Sequence, residues 1–75
     1  MGNVKVTKEF LTDGQRKVLE FIQTFILNHG YAPTWREIAG ELNMKRSNVQ
    51  YHLTILEQKK YIKTPGRKFR NLRIV

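Results

Sequence analysis

Six polar residues between positions 46 and 54 have side chains that could read nucleic-acid bases through hydrogen bonds. The set is Arg46, Ser47, Asn48, Gln50, Tyr51 and Thr54. Arg46 can donate two parallel hydrogen bonds to guanine, whereas Asn48 and Gln50 can each pair with adenine through a donor and an acceptor together. The two hydroxyl side chains suit bases or phosphates, and the tyrosine adds a ring for a thymine methyl group.

Basic side chains that could hold phosphates are concentrated in the same half of the chain. Residues 42–75 carry nine of the 14 Lys and Arg side chains and one of the six Asp and Glu side chains. The formal net charge of +8 therefore arises entirely in this half. An asymmetry of this kind indicates a polyanionic partner. The residues expected to contact the nucleic-acid backbone are Lys45, Lys59, Lys60, Lys63, Arg67, Lys68 and Arg70.

A capped amphipathic segment predicts the first of three helices that position these side chains. Thr12 and Gln15 have the spacing of a capping box, in which each side chain bonds the other residue's backbone N–H. Apolar residues then recur at helical spacing, and Gly30 supplies a left-handed end. The first helix is expected over about 13–28.

Two further helices, joined by a short turn, are predicted before and through the polar set. Thr34 and Glu37 form a second capping pair, which predicts a helix over about 35–42. Asn43 suits the turn that follows. The third helix is expected over about 46–59, so the pair matches a helix-turn-helix, whose second helix enters the major groove.

After the third helix the apolar period changes from that of a helix to that of a strand. Residues 61–63 and 71–74 alternate polar and apolar side chains, and Pro65-Gly66 between them signals a turn. The predicted fold is thus mainly α (α+β): three helices with a helix-turn-helix and a two-stranded β-hairpin wing. The predicted core is Val18, Ile22, Phe25, Ile26, Ile38, Leu42, Val49, Leu53, Leu56, Ile62 and Ile74.

The same residues exclude several other classes of protein. The chain has no cysteine, so thiolate metal sites and disulfides are ruled out. Asp13 and His29 fall at opposite ends of the first predicted helix, roughly 24 Å apart. They are too far apart for the hydrogen bond that a catalytic triad with Ser47 would need. His29 is expected to end the first helix, His52 to pack beside the core, and Trp35 to be a partly buried anchor. We therefore expect no enzyme, metal or cofactor, and no membrane-spanning segment.

Residues 11–75 resemble the amino-terminal DNA-binding domain of the LexA repressors of the SOS response. The specific stretch is Gly30-Tyr31-Ala32-Pro33-Thr34-x-Arg36-Glu37-Ile38, preceded by Leu11-Thr12-x-x-Gln15-x-x-Val18-Leu19-x-Phe21-Ile22. It is followed by Ser47-Asn48-Val49-x-x-His52-Leu53-x-x-Leu56-Glu57 and by Lys60-Tyr61-Ile62. The resemblance implies a winged helix-turn-helix, a repressor role, and base contacts from Arg46, Ser47, Asn48, Gln50 and Tyr51.

The resemblance ends where LexA proteins continue into a self-cleaving peptidase domain with a Ser-Lys dyad, which also dimerises them. The expected organisation is therefore an N-terminal arm over residues 1–10, flexible or a short strand, and a DNA-binding domain over 11–75. The chain would be either an excised domain or a stand-alone regulator. Weak pairing of two copies on DNA is compatible with either.

The sequence thus predicts a cytoplasmic, nucleoid-associated protein that binds a specific sequence of double-stranded DNA and represses transcription. Two alternatives stay open. One is a winged helix that binds a protein instead of DNA, since one fold serves many functions. The other is an architectural DNA binder for which charge alone matters. The operator sequence is not implied by the resemblance, because the base-reading side chains differ from those of well-known members.

Overall fold

Three helices and a short hairpin make up the structure, a computed structural model that describes residues 10–64 and 72–75. The helices are α1 (Asp13–His29), α2 (Trp35–Leu42) and α3 (Arg46–Gln58). The strands are β1 (Ile62–Lys63) and β2 (Arg73–Ile74). The three predicted helices and the predicted hairpin are confirmed, with α1 one residue longer and α3 one residue shorter than the sequence indicated.

Both predicted capping boxes are present, and they fix where α1 and α2 begin. The Thr12 hydroxyl accepts from the Gln15 backbone N–H at 3.2 Å, and Gln15 Oε1 accepts from the Thr12 N–H at 3.1 Å. Thr34 and Glu37 make the equivalent bonds at 3.2 and 2.8 Å. Each box satisfies donors that the first turn of a helix would otherwise leave unpaired.

Left-handed residues end the first two helices, as the sequence predicted. Gly30 has φ 81°, and its N–H donates to the Ile26 carbonyl at 2.7 Å. Asn43 ends α2 with φ 55°, and the Met44 N–H donates back to the Ala39 carbonyl at 2.9 Å. The turn between α2 and α3 is therefore short, which brings the start of α3 close to α2.

Apolar side chains from all three helices and from both sides of the hairpin form one core. Its buried members are Val18, Leu19, Ile22, Ile38, Val49, Leu53, Leu56, Ile62 and Leu72. Predicted members Ile26, Leu42 and Ile74 are only partly buried, and they pack against this cluster. Trp35 also packs there as a partly buried anchor, as expected.

The prediction that Phe25 belongs to the core is wrong. The buried face of α1 is rotated toward Leu19, so Phe25 lies at its margin and is only partly buried. Its ring instead lies 4.1 Å from that of His29 and 5.7 Å from that of Tyr31, measured between centroids. Periodicity alone left this rotation open, because residues on either edge of an apolar stripe fit the same period.

The hairpin is short and antiparallel, with Ile62 opposite Ile74 and Lys63 opposite Arg73. It is extended by a bond from the Val75 N–H to the Tyr61 carbonyl at 3.0 Å. Ile62 is buried and Ile74 partly buried, so this pair faces the core. The predicted turn at Pro65-Gly66 and the N-terminal arm, apart from Phe10, lie outside the described residues.

Helix α3 approaches the start of α1 closely at one point. A Cβ atom at position 14 would lie 3.1 Å from His52 Cε1 and 3.3 Å from His52 Nε2. Gly14 therefore leaves room for the imidazole between the two helices, and His52 packs beside the core as predicted.

Candidate nucleic-acid interface

Helix α3 divides into a buried face and an exposed one. Val49, Leu53 and Leu56 are fully buried, each with 0% of its surface accessible. Five of the polar residues project away from them, whereas Arg46, seven residues before Leu53, is exposed because it is the first residue of the helix. We call the six together the outer face of α3: Arg46, Ser47, Asn48, Gln50, Tyr51 and Thr54. Gln50 is half-buried and the other five are exposed, including Tyr51 at 59%. The buried face fixes α3, and the outer face is left for a partner.

The outer face has a centre and two flanks. At 3.6 residues per turn, Ser47, Tyr51 and Thr54 project almost directly opposite the buried face. Asn48 and Gln50 point roughly 160° apart, one on each side of that centre. In a helix lying in a major groove, they would therefore flank the side chains that face the groove floor, and each could reach a different base pair from its own side.

The hydrogen-bonding groups of the outer face are unpaired within the described part of the protein. Within residues 10–64 and 72–75, no side chain of the six forms a hydrogen bond or an ion pair with another described residue. The Tyr51 ring contacts the His52 ring, with centroids 5.7 Å apart. Donors and acceptors that the fold does not use are available to base edges.

Helix α3 begins without the side-chain cap that α1 and α2 have. Lys45 occupies the N-cap position in an extended conformation and makes no capping hydrogen bond. Lys45 is exposed at this end of α3, where the backbone N–H groups of the first turn carry the positive end of the helix dipole. Both features attract an anion to the beginning of the outer face.

Lys59, predicted to contact phosphates, has partners inside the protein. Its Nζ donates to the Phe10 carbonyl at 2.7 Å and to Gln15 Oε1 at 2.9 Å. The side chain thereby connects the end of α3 to the segment before α1. A phosphate contact by Lys59 would have to compete with both bonds.

Lys60 and Lys63 are exposed, and the structure adds a basic residue that was not in the predicted site. Lys63 lies opposite Arg73 in the hairpin, and both are exposed on the face away from Ile62 and Ile74. Like charges directly opposite each other in a sheet are destabilising. An anion between or above them would relieve this repulsion. The alternating pattern of residues 71–74 could have identified Arg73, since it placed the arginine on the outward side.

A hydrogen bond holds the beginning of the hairpin to α3. The buried Thr64 hydroxyl donates to Glu57 Oε2 at 2.9 Å. This bond fixes the end of β1 relative to the helix that carries the outer face. Arg67, Lys68 and Arg70, predicted for the tip of the wing, lie outside the described residues.

Two arginines surround the Trp35 ring at the start of α2. The Cζ atom of Arg46 lies 4.7 Å from the ring centroid, and that of Arg36 lies 5.5 Å from it. Sequence reasoning assigned neither Trp35 nor Arg36 to the site. The contact joins residues on separate helices, and nothing in their spacing indicated it.

Metal ligands and membrane-spanning helices would be two further features of the described residues. Within them, no three His, Cys, Asp or Glu side chains cluster closely enough to hold a metal ion. None of α1, α2 and α3 is both long and apolar enough to cross a membrane.

Comparison with known proteins identifies similar sequences across most of the chain. Residues 8–71 match the model of the LexA DNA binding domain family. A LexA repressor of Thermotoga maritima is 47% identical over 64 residues, which are 85% of this chain and 32% of that protein. A LexA repressor of Bifidobacterium longum is 40% identical over 72 residues, 95% of this chain and 30% of that protein.

A third relative is also much longer than the region in which it is similar to this chain. The LexA repressor of Pseudothermotoga lettingae is 37% identical over 68 residues, 91% of this chain and 34% of that protein. The chain thus spans about a third of the length of these curated relatives, and the similarity concerns that third.

Proposed function

Because this chain belongs to the LexA DNA-binding domain family, we propose that it binds a specific sequence of double-stranded DNA and represses transcription from the sites it occupies. The observation that carries the proposal is the outer face of α3. Its polar side chains form no hydrogen bond or ion pair with another described residue, while Val49, Leu53 and Leu56 of the same helix are fully buried.

In the proposed complex, α3 lies in the major groove with its first turns toward the bases. Asn48 and Gln50 read adenine or an equivalent donor and acceptor pair on opposite sides of the helix, and Arg46 reads guanine. Ser47, Tyr51 and Thr54 lie along the centre of the outer face, where they bond base edges or the phosphates that line the groove. These roles follow from the hydrogen-bonding capacity of each side chain and from its place on α3.

The backbone contacts come from exposed basic side chains on either side of α3. Lys45 lies at the start of the helix, and Lys60, Lys63 and Arg73 lie at its end and on the hairpin. We include Arg67, Lys68 and Arg70 on their charge and their position between the two strands. Phosphate contacts of this kind fix the register of a protein on the duplex without reading its sequence.

The proposal concerns binding and assigns no catalytic step to any residue. A repressor of this kind would act in the cytoplasm, on the nucleoid. With one outer face per chain, one copy would read one half-site, and weak pairing of two copies on adjoining half-sites is compatible with this. The relatives are repressors by name, and repression by this chain is inferred from that likeness.

Selection of bound sequences from a random duplex pool tests the proposal. We expect an enriched motif whose base preferences change when Asn48 or Gln50 is replaced by alanine. Unselective binding would instead support an architectural role, and no binding to any duplex would leave a protein partner. Either of the last two results would contradict sequence-specific recognition.

A further inference from the structure

The contact between Trp35 and Arg46 connects the first residue of α2 to the first residue of α3. Trp35 is partly buried and packs against the core. The guanidinium of Arg46 lies 4.7 Å from the ring centroid, well within the range of about 6 Å over which a cation and an aromatic face attract each other. Among the described residues this ring is the only partner of the guanidinium.

A guanidinium that rests on an aromatic face keeps its hydrogen-bond donors. The donors of arginine lie in the plane of the group and point outward from its edge. Those of Arg46 bond no other described residue, so they stay available while the group is held over the ring. A free arginine side chain samples many rotamers, and that freedom is lost when it binds a base. An arginine already held in one place loses less of it on binding, which strengthens the complex.

We propose that Trp35 is a positioning residue for sequence reading, which holds the Arg46 guanidinium at the start of the outer face ready to bond a guanine. The inference rests on the proposed function, because it requires Arg46 to contact a base. It adds a residue of α2 to the machinery that determines sequence specificity, although Trp35 itself touches no base. A cation–π contact at an exposed site corresponds to a roughly two- to fivefold effect on affinity.

Arg36 provides a matched comparison on the same ring. Its Cζ lies 5.5 Å from the centroid, farther than that of Arg46, and it extends from α2 instead of α3. Removing Arg36 changes the charge as much as removing Arg46 does. If the Trp35 ring affects sequence selectivity through α3, this effect should therefore depend on Arg46 and not on Arg36.

A double-mutant cycle measures the coupling between the ring and the arginine. Trp35→Phe keeps an aromatic anchor in the core with a weaker hold on a cation, and Trp35→Leu keeps only the apolar bulk. Each is combined with Arg46→Ala and, separately, with Arg36→Ala. The dissociation constant is measured on the selected duplex and on an unrelated duplex, and thermal unfolding checks that every variant is folded.

We expect Trp35→Leu to weaken binding to the selected duplex about two- to fivefold more than binding to the unrelated one. Trp35→Phe should restore part of the loss. In the Arg46→Ala background the Trp35 substitutions should cause no further loss of selectivity, while in the Arg36→Ala background they should act as in the wild type. Equal losses in the presence and absence of Arg46 would overturn the inference.

A second readout uses the free protein and needs no DNA. Trp35 is the only tryptophan of the chain, so its emission reports this ring alone. Arg46→Ala should change the emission of the folded protein more than Arg36→Ala does, and equal changes would overturn the inference. If instead Arg46→Ala leaves selectivity intact while Asn48→Ala abolishes it, the proposed function stands and the role of Trp35 is overturned. If neither the wild type nor any variant distinguishes the selected duplex from the unrelated one, both the proposed function and the role of Trp35 are overturned.

Discussion

Lys59 Nζ lies 2.9 Å from Gln15 Oε1, although the two residues are 44 positions apart in the sequence. The same oxygen accepts from the Thr12 N–H, so one buried amide serves both the cap of α1 and the end of α3. The ammonium group also bonds the Phe10 carbonyl. Lys59 is thereby part of the contact between α1 and α3.

Lys59→Met should therefore destabilise the fold instead of weakening DNA binding in particular. The methionine keeps the apolar stem but removes two charge-assisted hydrogen bonds, at a cost of about 1–3 kcal/mol in the free energy of unfolding. Urea denaturation measures this cost, with Lys60→Met as the control for loss of an exposed charge nearby. An unchanged free energy of unfolding combined with a reduced salt dependence of DNA binding would mean that Lys59 contacts a phosphate.

Lys63→Gln should act in the opposite direction on stability. It removes the repulsion from Arg73 across the hairpin, which should stabilise the fold by about 0.2–1 kcal/mol. It should also lower the slope of log affinity against log salt by about 0.9, because one phosphate contact is lost. Lys17→Gln, at an exposed position of α1 outside the proposed interface, is the matched control and should do neither. Parallel behaviour of the two variants would contradict the phosphate role of Lys63.

Replacing Asn48 or Gln50 by alanine should separate sequence recognition from sequence-independent binding to phosphates. Each variant should lose about 1–3 kcal/mol on the preferred duplex and little on random duplex, since a bidentate base contact is lost. Because the two side chains project from opposite flanks of α3, their losses should be additive in the double variant. The measurement is a titration of each variant on both duplexes.

The wing supplies the comparison for that experiment. Arg67→Ala and Lys68→Ala should weaken binding to both duplexes by similar factors and reduce the salt slope by about one unit per contact. Equal losses on both duplexes for Asn48→Ala and Gln50→Ala would show that the outer face of α3 does not read sequence.

Lys45→Ser should make the protein more stable and a weaker DNA binder. Serine at an N-cap accepts from the first turn of the helix, which typically contributes about 1 kcal/mol, and Lys45 makes no such bond. The substitution also removes an exposed cation beside the outer face. Lys45→Ala is the control: it should lose as much affinity without the gain in thermal stability. A stabilised variant with unchanged affinity would remove Lys45 from the interface.

Local signals made the helices predictable from the sequence. The capping pairs Thr12–Gln15 and Thr34–Glu37 and the left-handed Gly30 each act within one turn of chain, so neighbouring residues determine them. The turn conformation of Asn43 was predicted for the same reason. The starts of α1 and α2 followed from these signals. The start of α3, which has no side-chain cap, followed from the turn at Asn43 and the helical spacing of Val49, Leu53 and Leu56.

Contacts between distant segments were not predictable in this way. The bonds of Lys59, the stacking of Arg46 on Trp35 and the pairing of Lys63 with Arg73 depend on how the elements pack and on strand register. Periodicity identified an apolar stripe on α1, but only the packing of the elements decided that Leu19 is buried and Phe25 only partly so. Charge could therefore indicate which residues suit a phosphate, but not which are already engaged by the fold.

The close approach of Gly14 to His52 has a consequence for how such proteins can diverge. Any side chain at position 14 would press on the imidazole of a residue in α3, which would have to give by a few tenths of an ångström. The imidazole lies between α1 and α3, so the size of the side chain at position 14 bears on how closely these helices can pack. Positions 14 and 52 should therefore covary among related proteins, with a larger residue at one accompanied by a smaller residue at the other.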